Sequence, residues 1–150
     1  MVVTMKITIK QSPEYTEPEI TVACAKIDGT LTEVISYISL IDNTLTGNIN
    51  GETFFIELAQ ILYFETVDRK VFFYTADNTY ETVTNLTQLE AQLLNTPFAR
   101  ISKTMIANLK KVYSIRQESN SRLCATLSNG EKLIVSRQYL QIIKEKLGVK

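Results

Sequence analysis

Asn50-Gly51 is the strongest short hairpin signal in this chain, and it constrains everything around it. Both residues accept the left-handed backbone that a two-residue turn needs. On either side stand "LTGNIN" and "ETFFIEL", short runs rich in strand-forming residues. The same grammar repeats downstream in "ILYFETV", "VFFYTAD" and "TYETVT", separated by Asp68-Arg69-Lys70 and Asp77-Asn78. After an interruption come "FARISKTMIANL", "KKVYSIRQ", "SRLCATLSNG" and "EKLIVSR". Ser128-Asn129-Gly130 makes the last two a further hairpin. So many short β-patterned runs, each closed by turn residues, predict an α+β chain that is mainly β.

Three stretches change period. In "NLTQLEAQLLN", Leu86, Leu89 and Leu93 with Leu94 share one helical face; Asn85 can cap the start, and Asn95-Thr96-Pro97 stops it. "SRQYLQIIKEKLG" reads as a closing helix with Tyr139, Ile142, Ile143 and Leu147 inward and Gly148 just past its end. Near the amino terminus, Leu31, Val34, Ile35, Tyr37, Ile38 and Ile41 recur at three and four, so a helix runs to about Ile41, after the turn Asp28-Gly29-Thr30. It ends at Asp42-Asn43-Thr44. "MKITIK" and "ITVACAKI", joined by the proline-bearing loop "QSPEYTEPE", alternate as strands do. The expected organisation is a small β–β–α extension over 1–50 and a main domain over 51–150.

With 150 residues, the chain can bury a sizeable core without a metal or disulfide. Cys24 and Cys124 read as two small buried residues. There is no CxxC and no His, which excludes a His-containing zinc site and a Ser–His or Cys–His nucleophile. No convergent acidic pair, glycine-rich phosphate loop or metal spacing is visible, so neither an enzyme, a cofactor, a metal nor a small-molecule substrate is expected. No apolar run reaches the roughly 18 residues of a membrane span. Met1–Lys10 lacks the pattern of a signal peptide, so the cytoplasm is the expected location.

Formal net charge is zero, but it is unevenly spread. Residues 1–66 carry 3 basic against 9 acidic side chains, and residues 97–150 carry 11 against 3. "ARISKTMIANLKKVYSIR", Ala99–Arg116, holds Arg100, Lys103, Lys110, Lys111 and Arg116 with no acid, interleaved with Ile101, Met105, Ile106, Leu109, Val112 and Ile115. Cations mounted beside core-seeking residues suit a polyanion, and the plain alternative is a solvated face.

The ordered set "ILYFE", "NLTQLEAQL", "FARISKTMIANL", "NGEKLIVSRQYL" and the terminal lysine-rich helix, spanning about Glu57 to Leu147, resembles the LytTR DNA-binding domain of bacterial transcription regulators. The resemblance implies elongated antiparallel β-sheets, three in number, with short helices. It implies loops, rather than a recognition helix, entering successive major grooves of double-stranded DNA at paired repeat sites, and a homodimer. Only about 56 residues precede the match, too few for the receiver domain many members carry. The chain is therefore similar to the stand-alone subgroup, in which the controlling partner can be an inhibitory membrane protein. The extension over 1–50 would then serve dimerisation or partner docking.

By resemblance, three places contact DNA. Asp68-Arg69-Lys70 follows "YFET" where some members use His, so base reading there passes to Arg69 or Lys70. Lys103 sits between Ser102 and Thr104, and Arg137 lies in "VSRQY". Arg can take guanine O6 and N7 together in the major groove, and Lys103 can do likewise or bind phosphate. Ser102 and Thr104 hydroxyls suit phosphate oxygens, and Lys110, Lys111 and Arg116 suit the DNA backbone. Asn108 looks structural.

Each has a bland reading. Arg69 and Lys70 could be solvated turn residues, Lys103 a solvated strand residue, and Arg137 a salt-bridge partner. Lys144, Lys146 and Lys150 suit a helix C-terminus. Phe72, Phe73 and Tyr74 invite a base-stacking reading but fit a core strand better. A protein-interaction module that has lost DNA binding is the alternative function, with Glu33 on its acidic helix, and single-stranded RNA binding a lesser one.

Overall fold

The computed structural model describes residues 5–41 and 43–149. Asp42 and Lys150, read above as part of a helix stop and a C-terminal cation, lie outside them. The first helix, α1 (Gly29–Ile41), begins where the Asp28 carboxylate accepts from the Leu31 amide at 2.9 Å. Ten strands follow: β1 (Thr44–Ile49), β2 (Glu52–Glu57), β3 (Tyr63–Val67), β4 (Lys70–Tyr74), β5 (Thr79–Thr82), β6 (Phe98–Ser102), β7 (Met105–Asn108), β8 (Val112–Gln117), β9 (Leu123–Leu127) and β10 (Lys132–Val135). Between β5 and β6 lies α2 (Leu86–Gln92). Asn85 and Gln88 close a reciprocal capping box at its start, satisfying donors that a bare helix end leaves orphaned. α3 (Leu140–Leu147) ends the chain, with Gly148 in the left-handed conformation behind it. No helix among the described residues is long and apolar enough to cross a membrane.

Among the described residues the strands form two antiparallel sheets, not three: a seven-stranded one in the order β2-β1-β5-β4-β3-β7-β6 and a three-stranded one, β10-β9-β8. Expected separate sheets are joined because β3 pairs with both β4 and β7, and β1 meets β5 at Asn48↔Glu81. The Asn50-Gly51 turn forms as expected, both residues at positive φ, and it straddles the boundary drawn at 50/51. β1 pairs with β2 along its whole length, so residues 44–49 belong structurally with the sheet.

Two cores lie on opposite faces of the larger sheet. One gathers Leu40 of α1, Leu86, Leu89 and Leu93, and the strand residues Phe64, Phe73, Phe98 and Ile106. The other joins Tyr63, Ile101 and Ala107 to Leu123, Leu127, Leu133 and Val135 of the smaller sheet and Ile143 of α3. Tyr63 stacks on Tyr74 at 4.4 Å, and its hydroxyl donates to Glu131 Oε2 at 2.7 Å. Burial, then the Glu131 carboxylate, pushes the Tyr63 hydroxyl well above the ordinary tyrosine pKa. The bond latches the β9–β10 turn to β3.

Several expectations fail. Met5–Asp28 form no strand, and Ile7 and Ile9 are 86% exposed. Alternation suits a strand, but a strand exists only where another backbone pairs with it, and these segments have none among the described residues. Of the β–β–α unit only the helix forms. Tyr37, Ile41, Leu94 and Ile142 face solvent, and Leu140 takes the half-buried place expected of Ile142. Cys24 is exposed, whereas Cys124 is buried.

Gly47 is required by close approach. A Cβ there would stand 2.5 Å from Phe73 Cζ and 2.6 Å from Tyr80 Cβ, both of the buried aromatic stack. Gly47→Ala is expected to lose about 1–3 kcal/mol of stability through overpacking. Urea titration checks it: the midpoint falls at unchanged slope, and an unmoved midpoint would refute the packing argument.

Candidate nucleic-acid interface

The β3–β4 connection is a two-residue turn. Val67 pairs with Lys70, leaving Asp68 and Arg69 at the apex with φ 51° and 66°. Residues other than glycine pay for this backbone, and an arginine there is uncommon. The turn exposes Arg69 at the tip of a rigid hairpin. Lys70 lies 4.0 Å from Glu81 on neighbouring β5, with both side chains well exposed.

The β6–β7 connection is a second tip. Lys103 and Thr104 link Ser102 to Met105 and are exposed. Ser102 Oγ accepts from the Thr104 amide at 3.2 Å, so part of that hydroxyl's capacity shapes the turn itself. The Thr104 carbonyl accepts from the Thr66 amide at 2.8 Å, joining this tip to β3 just below Arg69. Arg137 opens a short 3-10 turn, Arg137–Tyr139, directly after β10. Its preceding residue, Ser136, donates to the Ile101 carbonyl from both amide (2.9 Å) and Oγ (3.0 Å). The Arg137 guanidinium reaches toward the Asn120 carbonyl at 3.5 Å.

Register therefore puts Arg69, Lys70, Lys103 and Arg137 at one end of the molecule. β3 and β7 are antiparallel neighbours, so the β3–β4 and β6–β7 turns emerge together, and Ser136 is fastened to the strand leading into the second. Arg116 joins this end, because Arg116↔Cys124↔Ile134 lie in one rung of the smaller sheet. It pairs with Glu118 at 3.1 Å, largely in solvent.

Lys110 and Lys111 are not brought there. They follow β7 and sit at its opposite end. Lys110 Nζ is 2.7 Å from Glu33 Oε1 of α1 and 5.7 Å from the Tyr37 ring centre. Lys144 and Lys146 occupy the last turn of α3. Phe73 is wholly buried and stacked on Tyr80, and half-buried Tyr74 is stacked on Tyr63, so these two serve the cores; Phe72 is half-buried and joins neither. Asn108 is buried; its Nδ2 donates to the Ile61 carbonyl at 2.9 Å and its Oδ1 accepts from the Lys110 amide, a structural part as expected.

Two more cations bear on this end, Arg122 and Arg100. Arg122 is exposed in the β8–β9 loop, at the same end as Arg137. The polar cluster "ESNS" before it marks a loop, and its distance from the Ser128-Asn129-Gly130 turn fixes which end that loop occupies. Arg100, counted only as a cation, is bound up inside the β6–β7 tip.

A family model, the LytTr DNA-binding domain, matches residues 51–148. An uncharacterised HTH-type transcriptional regulator of Staphylococcus aureus strain NCTC 8325 is 27% identical over 147 residues, covering 97% of this chain and 99% of that one. A counterpart in strain MRSA252 is 26% identical over the same share of both chains. Among solved structures, a LytTr DNA-binding domain from Bacillus cereus superposes with a TM-score of 0.67 at 21% identity, covering 71% of this chain and 98% of that one; the fold is shared.

The hydrogen bond from Lys110, then its charge, holds the Glu33 carboxyl below the ordinary glutamate pKa. A lowered folded-state pKa means the pair's stabilisation is present above the unfolded value and is lost as pH falls through the folded one. In Lys110→Gln the Glu33 carboxyl is expected to titrate higher, back toward the ordinary range. An NMR titration of the Glu33 side-chain carboxyl carbon checks this, and an unchanged midpoint refutes the contact.

Proposed function

The chain belongs to the LytTR family, that of the LytTr DNA-binding domain, and we propose that it is a sequence-specific transcriptional regulator of double-stranded DNA that sets loop residues into successive major grooves. One observation carries the reading: Arg69, Lys103 and Arg137 stand on three separate turns at one end of two β-sheets tied together there by Ser136. A floppy cation can bind phosphate, but choosing a base needs a donor held in fixed register. Arg69, Lys70, Lys103 and Arg137 read bases. Ser102, Thr104 and Arg116 contact the sugar–phosphate backbone. Lys110 and Lys111 fall outside this row, and Lys110 already has a carboxylate partner.

The framework reads with turns rather than a recognition helix. Among the described residues, strands separate every pair of α-helices, so none forms a helix-turn-helix. The protein acts in the cytoplasm as a homodimer on paired repeats. The part of the 1–50 extension that precedes β1 supplies the protein-binding surface, with exposed Ile7, Ile9 and Ile20 available to a second copy; a controlling membrane protein would compete for the same surface. No catalytic role is assigned.

Selection of bound duplexes from a random pool, run with wild type and Arg137→Ala, tests this. Wild type is expected to yield a paired motif. The variant is expected to relax one position in each repeat, at a cost of about 1–3 kcal/mol. Arg116→Ala should instead weaken all sequences alike and flatten the salt dependence by about one phosphate contact, a slope change of roughly 0.9. Failure of wild type to enrich any motif would overturn the reading in favour of a protein-interaction module without DNA binding.

A further inference from the structure

Arg100 is a cation in the middle of the basic run, yet its head does not face solvent. Its side chain is only 16% exposed. Nε donates to the Ser102 carbonyl at 2.8 Å, and Nη2 donates to the Lys103 carbonyl. Nη1 stands 4.0 Å from Glu90 of α2. Each nitrogen of the guanidinium is thus directed at the protein, two of them at the backbone of the turn that carries Lys103.

The strand is irregular at the same point. The β6–β7 register shifts between Arg100 and Ser102, leaving Ile101 as the extra residue of a bulge. A bulge frees a carbonyl from the ladder and bends its strand. The freed Ile101 carbonyl is taken by Ser136, through both amide and hydroxyl, and Ser136 precedes Arg137. Ile101 itself is buried.

We propose that Arg100 and Ser136 form a clamp around the β6 bulge that sets Lys103 and Arg137 at a fixed spacing, making Arg100 a positioning residue for base selection rather than a contact to DNA. The inference rests on the DNA-reading proposal above. Arg100 grips the turn from inside with a planar fork whose two arms meet consecutive carbonyls, a geometry that lysine's single ammonium does not reproduce. Ser136 ties the loop of the neighbouring sheet to the root of the same turn. Lys103 and Arg137 then move as one piece, and their spacing is matched to the groove before any duplex arrives.

The test compares Arg100→Lys, Arg100→Gln and Ser136→Ala with wild type, using the duplex enriched from the random pool and an unrelated duplex of equal length. For each, the ratio of the two affinities, the salt slope, and hydrogen exchange at the Thr104 amide are measured. The clamp predicts that both Arg100 variants lose about tenfold in the affinity ratio, the scale of one base reading, with an unchanged salt slope and faster Thr104 exchange. Ser136→Ala, which removes one hydroxyl bond, should lose less in the same direction, and it carries the test should an Arg100 variant fail to fold. Full discrimination in Arg100→Lys would overturn the proposal. So would equal weakening on both duplexes with a flatter salt slope in Arg100→Gln, the mark of a phosphate contact. Wild type failing to discriminate would instead sink the DNA-reading proposal itself, while discrimination kept by wild type and all variants sinks only the clamp.

Discussion

The pairing of β3 with β7 holds the rest of the structure in place, because both strands are buried on both faces where Tyr63-Phe64 meets Ile106-Ala107. Tyr63 and Ala107 point to one core, Phe64 and Ile106 to the other. A one-residue slip would exchange those faces and drive tyrosine and phenylalanine into each other's places. Asn108 fixes the register further at the far end, where its amide donates to the Leu62 carbonyl and its side chain to Ile61. At the near end the same pairing decides how far the β6–β7 turn projects beside the β3–β4 turn. The relative height of Lys103 and Arg69 is therefore a property of buried aromatic packing, and surface chemistry only decorates it.

What could be read from sequence was what local chemistry decides. Asn50-Gly51 and Asp68-Arg69 made their turns, and Asn85 with Gln88 capped α2, because each depends on a few adjacent residues. The mostly β character and the row of turn cations were legible for the same reason. Pairing across distance was not. "MKITIK" and "ITVACAKI" have strand alternation but no partner backbone among the described residues, and the merging of hairpins into seven strands rests on contacts between segments far apart. Cations in one run also proved unequal. Lys103 is free at an apex, Arg100 is folded back on carbonyls, and Lys110 reaches Glu33, 77 positions away. Sequence shows the charge of each but not the direction of its side chain. The shift of register at Ile101, which redirects Arg100 and Ser136, has no local signature at all.

The resulting tip combines strain with restraint. Arg69 occupies a backbone region that costs a side-chain-bearing residue about 1–2 kcal/mol, and the tight pairing of β3 and β4 holds it there. The β6–β7 tip is held instead by hydrogen bonds, from Arg100, Ser102 and Ser136. Two neighbouring projections are thus held by different means, one through turn geometry and one through a bulge whose loose carbonyl is reused.

The two ends of the framework also differ in how their charges are balanced. At the turn end Arg69, Lys70, Lys103, Arg116, Arg122 and Arg137 outnumber Asp68, Glu81 and Glu118. At the other end Lys110, Lys111, Lys132 and Lys146 are accompanied by Glu33, Asp77, Glu131 and Glu145. Such a molecule has an electric moment along its strands. In the field of a polyanion it experiences a torque that swings its arginine-rich pole forward during approach, so that collisions are pre-aligned rather than random. Raising ionic strength shortens the reach of that field and erodes the alignment.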